Sequence, residues 1–334
     1  QYAERRGLRE KIYRAYTSCG VSSVDNQPII RKIVALRDGR AKLLGFATHN
    51  DFMMDDRMAG SPDSVKELLD QVWGPCVQKV IKEADDLRKR IQAEGSNFDL
   101  EPWDWWYYTE KIRKERFDLD EQEVKRYFKL ENVRDGVMEV ARKLYGIEFH
   151  ERGDLPVYHP DVVAYEVTEA DGELIGYFLF DFYMRASKRG GAWMSTFRDQ
   201  SNIDQRVRPV IVNCCNFPKS DPCLLGVDEV RTLFHEFGHG LHGLLSNVSY
   251  ESLSGTGVKQ DFVELPSQIM EHWAIESEVL KSYARHYETE EPMPDDLIEK
   301  LKASESFNQG FATTEYLAAC YLDLAWHGRD GISV

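Results

Sequence analysis

Arg231–Leu245 reads RTLFHEFGHGLHGLL, and within it His235-Glu236-Phe237-Gly238-His239 has the form His-Glu-x-x-His. Leu233, Phe234, Phe237, Leu241, Leu244 and Leu245 recur at the spacing of a helix and would bury most of its surface. On a helix, residues four apart share a face, so the imidazoles of His235 and His239 can reach one metal ion. Glu236 is turned about 100° from His235, which keeps it off the ion but near a water that the ion activates. A buried helix of this kind holds its ligands rigidly.

A catalytic zinc usually takes three protein ligands and leaves one position open. The best third ligand is Glu264, 25 residues after His239, in the stretch DFVELPSQ (261–268). A loop followed by a second helix would bring it back over the first. Pro266 is tolerated only near a helix start or at a kink, so Glu264 should lie in an early turn. Glu271, seven residues further along the same face, could accept a hydrogen bond from a ligand imidazole. His242 is an alternative ligand ranked below Glu264, because His235 and His242 together would strain one tetrahedral site.

Outward from this helix, the chain from Val227 on reads as helical apart from the loop SLSGTG (252–257). Before it, Asp161–Thr168 and Leu174–Tyr183 are rich in β-branched and aromatic residues and flank Asp171-Gly172, a hairpin signal. Pro209–Asn213 reads as a further strand. Upstream of Gly146 the pattern is again helical. Val77, Val80, Ile81, Ala84, Leu87 and Ile91 keep one helix face, and Val133, Val137, Val140 and Leu144 keep another. The expected fold is mainly α with a small, mostly antiparallel β-sheet. It forms two closely packed lobes, 1–146 and 147–334, with no Pro/Ser-rich linker between them.

The 334 residues are 42% hydrophobic and 12% aromatic, enough for a sizeable core. Lys and Arg total 42 against 57 Asp and Glu, a net charge of −15. That balance gives no footprint for phosphate backbones or anionic membranes, so neither nucleic acid nor a membrane surface is an expected partner. The longest apolar run, Leu174–Phe180, is far too short to span a bilayer. Six scattered cysteines without a Cys-x-x-Cys suggest reduced thiols in a cytoplasmic protein. The sequence opens at Gln1, so a true N-terminus is expected upstream.

The stretches HEFGHGLHGLLSN (235–247), SLSGTG (252–257) and DFVELPSQIMEHW (261–273) resemble the thimet oligopeptidase family of zinc metallopeptidases. Further resemblance lies in LREKIYRAY (8–16), EPWDWWYY (101–108), KRGGAWM (188–194) and FNQGFATTEYLAACYLDLAWH (307–327). The KRGGAWM wording is closest to the bacterial peptidyl-dipeptidase branch. The resemblance implies a two-lobed helical protein with a deep channel, a zincin-like catalytic core and one zinc ion held by His235, His239 and Glu264. It implies Glu236 as general base, Glu271 behind a ligand histidine, and an edge strand around Gly190, Gly191 and Ala192 that pairs with substrate. The expected activity is hydrolysis of short peptides by a monomer, with release of C-terminal dipeptides. The alternative is a zinc-stabilised peptide-binding protein without efficient turnover. Residues GRDGISV (328–334) no longer resemble the family, whose tyrosine donors to the oxyanion lie in a later loop. That implies such donors beyond Val334 and weak turnover by these residues alone. The aromatic cluster Trp103, Trp105, Trp106, Tyr107 and Tyr108 is expected to pack rather than to bind a ligand.

Overall fold

The computed structural model describes residues 3–21 and 24–328. The expectation for the last residues, 329–334, therefore lies outside the described residues. In chain order the helices α1 (Arg6–Thr17), α2 (Gln27–Leu43), α3 (His49–Met54), α4 (Pro62–Ala93), α5 (Trp105–Phe117), α6 (Glu121–Lys125) and α7 (Leu130–Tyr145) come first. The strands β1 (Glu148–Glu151), β2 (Val163–Thr168), β3 (Leu174–Tyr183), β4 (Trp193–Arg198) and β5 (Val210–Phe217) follow. The helices α8 (Val227–Leu244), α9 (Glu264–Ala274), α10 (Ser277–Tyr283), α11 (Asp295–Ser304) and α12 (Gln309–His327) complete the chain. No helix among the described residues is long and apolar enough to cross a membrane. All six cysteines are free.

The chain folds as two compact units, residues 1–118 with 303–334, and residues 119–302. The change of pattern at Gly146 is a helix end inside the second unit and not its border. Gly146 adopts φ +73°, the left-handed conformation that closes α7. Helix α7 then belongs with the sheet because Val133, Val137, Val140 and Ala141 bury its inner face, which packs on α8 and α10. Leu144, expected on that face, is 41% exposed at the frayed end.

In the first unit, α4 is packed by α5 and α12. Ala84, Leu87, Ile91, Trp105, Tyr108 and Ile112 form its core. Ile81 departs from the expected face and is 48% exposed. Residues after 303 return to this unit because Glu83 caps the start of α12, accepting from the backbone N–H of Gly310 at 3.0 Å and of Phe311 at 2.8 Å. Trp105 stacks on Phe311 at 4.4 Å and donates its indole N–H to Asn308 Oδ1. The cluster at 103–108 thus packs, as its composition suggests.

In the second unit the sheet order is β1-β2-β3-β5-β4. Three of its four pairings are antiparallel and β3–β5 is parallel. The β2–β3 hairpin turns where Asp171-Gly172 lies, with Gly172 at φ +88°. Strand β1 carried no distinct sequence signal. Strand β4 sits at an edge, and Gly190, Gly191 and Ala192 form the turn entering it, not the strand itself. Helix α8 lies against β3, β4 and β5, with Phe237 stacked on Phe180 at 6.0 Å.

Candidate metal centre

Helix α8 is set firmly at its start, where the Glu229 carboxylate accepts from the Gly226 N–H at 2.7 Å. Two of its glycines admit neighbours that no side chain would. A Cβ at Gly238 would stand 2.7 Å from Ser267 Cα and 2.8 Å from the Pro266 carbonyl oxygen, both backbone of α9. A Cβ at Gly240 would run into the Phe178 ring and Asn213 of the sheet. The helix is therefore pressed between sheet and α9, which brings its two histidines under Glu264.

Glu264 is the first residue of α9 and Pro266 the third, as the proline requires. The Nε2 atoms of His235 and His239 lie 3.2 and 3.1 Å from the same oxygen, Glu264 Oε2. One donor atom from each of the three residues falls within 4.8 Å of the others. Ligands at 2.0–2.1 Å around a tetrahedral zinc stand about 3.3 Å apart, so the two printed separations fit such an ion. The hydrogen bonding points the same way. Glu271 Oε1 lies 2.6 Å from His235 Nδ1, which must carry the proton of that bond. That leaves Nε2 as the His235 atom facing Glu264 Oε2, a contact that a cation between the two would stabilise.

Exposure grades across the cluster. The His239 side chain is 11% exposed and that of Glu264 52%, so the group is open on the Glu264 side. Burial lowers the pKa of His239, which favours the neutral imidazole that metals bind. Glu236, 6% exposed, is pushed up to about 7 by burial; His235 opposes the shift, Glu264 adds to it, and the Met194 backbone opposes it. His242 stays outside the cluster, its buried Nδ1 without a hydrogen-bond partner and its ring 6.5 Å from Phe262.

A model of peptidase family M3 matches residues 1–333. The chain belongs to peptidase family M3. The M3 chain is 44% identical over 307 residues to a dipeptidyl carboxypeptidase of Salmonella typhimurium, covering 91% of this chain and 45% of that protein. It is 42% identical over 328 residues to the dipeptidyl carboxypeptidase of Escherichia coli, covering 96% and 48%. It is 36% identical over 340 residues to oligopeptidase A of Salmonella typhimurium, covering 98% and 50%. The chain spans about half the length of these relatives.

Two features of the M3 chain's centre escaped the sequence reading. Buried Ser267 sets its hydroxyl 2.9 Å from both Glu264 Oε2 and the Glu264 carbonyl oxygen, within the same helix turn. The spacing of Glu264 and Ser267, three residues apart on a helix, was the available signal. The Met194 backbone of β4 draws the Glu236 carboxyl down against its burial, a strand-to-helix influence with no local signature.

Proposed function

We propose that this chain carries the metal centre of a zinc-dependent peptidase that hydrolyses short peptides and releases C-terminal dipeptides. The observation that carries the reading is the convergence of His235, His239 and Glu264 with buried Glu236 beside them. The names of the relatives support the dipeptide-releasing mode. The six free cysteines support a reducing, cytoplasmic setting, in which we take the protein to act as a monomer in a zincin-like, channelled fold.

In this reading His235, His239 and Glu264 hold one zinc ion, which supplies Lewis acidity toward a peptide carbonyl and a water molecule. Glu271 keeps the His235 proton on Nδ1, leaving Nε2 free to bind. Ser267 holds Glu264 Oε2 in place. Glu236 accepts a proton from the attacking water and delivers it to the leaving amine nitrogen. The outer edge of β4, entered through Gly190, Gly191 and Ala192, holds the extended peptide by strand addition.

The test is mass spectrometry of one decapeptide, free and C-terminally amidated, treated with the zinc-loaded chain and with its Glu236→Gln variant. We expect dipeptides from the free peptide, none after chelation, and about 10²–10⁴-fold slower cleavage by the variant at unchanged zinc content. Equal processing of both peptides would overturn the dipeptide-releasing mode. Wild-type turnover by zinc-loaded Glu236→Gln would overturn the base, and binding without any cleavage would overturn the hydrolase reading.

A further inference from the structure

The turn that leads into β4 is pinned by a buried ionic network the metal centre does not use. Asp181, in β3, is fully buried and accepts from Arg185 Nη1 at 2.7 Å, Arg185 Nη2 at 2.6 Å and the Tyr158 hydroxyl at 2.8 Å. Lys188, its side chain 4% exposed, lies 2.8 Å from Asp181 Oδ1. Its ammonium also donates to three backbone carbonyls, those of Asp181, Tyr183 and Cys215, at 2.8, 2.8 and 2.7 Å. Those carbonyls belong to β3 and β5, so one side chain ties the turn to both strands. Burial alone would raise the Asp181 carboxyl, yet Arg185, Lys188 and Tyr158 draw it below its ordinary value. From the other side, Asn216 Nδ2 donates to the carbonyls of Arg189 at 2.7 Å and Gly191 at 2.6 Å. Gly191 has φ +86°, a conformation that lets the chain turn sharply into Trp193.

Removing one member of a buried ion pair leaves a charge without a partner, so such a network persists only where its geometry is well satisfied. Here Lys188 ties the turn before β4 to β3 and β5, and Asn216 holds the carbonyls of that turn at 189 and 191. Strand β4 meets a neighbour on one side only among the described residues, and it packs on α8, the helix that carries Glu236. We propose that Lys188 and Asn216 are positioning residues that fix the 188–192 turn and thereby set the free edge of β4 against Glu236 for an incoming peptide backbone. This rests on the peptidase reading for the identity of what binds, while the fixing of the edge can be measured apart from it.

The experiment compares the zinc-loaded chain with its Asn216→Ala and Lys188→Met variants. Asn216 is half-buried and its loss spares the Asp181 network, so Asn216→Ala keeps the question open if Lys188→Met fails to fold. Amide hydrogen exchange is followed in 189–198 and in α8, together with KM and kcat for a decapeptide. We expect exchange in 189–198 to quicken about tenfold while α8 is unchanged. KM should rise about tenfold with kcat within about twofold, the pattern of lost ground-state binding. Unchanged exchange in 189–198, a rise spread evenly over α8 as well, or quickened exchange with unchanged KM would each overturn the proposal. If the unaltered chain shows no turnover, the peptidase reading falls, and the exchange result with the affinity for the same decapeptide decides the positioning role.

Discussion

Helices α4 and α8 both read as amphipathic, yet they are used in opposite ways. Helix α4 is 32 residues long and buries three of them, Ala84, Leu87 and Ile91. Helix α8 is 18 residues long and buries 11, including Glu236 and His239. Periodicity reports that one face is apolar; it does not report how many neighbours will arrive. Around α4 they are α5 and α12, while α8 has the sheet and α9. Enclosure on both sides is what makes α8 able to hold titratable groups in fixed positions. The glycines mark the contrast: beyond its chain neighbours, Gly74 in α4 has open space where a Cβ would stand, and Gly238 in α8 has the backbone of α9.

Gly238→Leu should break that enclosure most severely. Because the atoms it meets are backbone, we expect a loss on the order of 4 kcal/mol, above the usual overpacking range. Zinc stoichiometry should fall with it, since Glu264 rides on the displaced helix. Denaturant unfolding and metal analysis check both, and a stable, fully loaded variant would refute the account of α8. Leu87→Ala probes the single covered stripe of α4. A loss of about 2–3 kcal/mol is expected, at the low end for a buried leucine because so little of α4 is enclosed. Ile81→Ala should change stability by less than about 0.5 kcal/mol, and equal losses at the two positions would restore the face inferred from periodicity. The smallest effect is expected at Gly74→Ala, a net change near zero read as an unmoved unfolding midpoint, because alanine's gain in helix propensity is opposed by its Cβ meeting the ring of the following Pro75.

The same contrast explains what was legible in the sequence. His235 and His239 share a face by local helix geometry, and Pro266 placed Glu264 near a helix start; that this start would return over the histidines was an expectation from the intervening loop and the family resemblance. Glu271 followed from the same helical repeat, and the structure sets it 2.6 Å from His235. The turn at Asp171-Gly172 and the full extent of β3 were likewise local matters. What depended on distant chain was hidden. The unit border at 118 rather than 146 depends on α12 returning across more than 200 residues to meet Glu83 and Trp105. The Asp181–Lys188 network joins β3, a turn and β5, and no spacing rule marks a lysine that will bond three carbonyls. Exposure of Ile81 and Leu144 was missed because an apolar stripe can outrun the neighbour that covers it.

The discontinuous first unit has a consequence for the order in which the protein comes off the ribosome. Residues 119–302 have all been made before residues 303–328 exist. The histidine helix, the sheet and the helix bearing Glu264 can therefore close while α4 and α5 still lack the helix that covers them. During that interval Trp105 has no Phe311 to stack on and Glu83 has no helix end to cap. The nascent chain thus has a closed second unit while the first still has an open apolar surface. The time that surface stays open is set by the translation of α12, whose arrival completes the first unit.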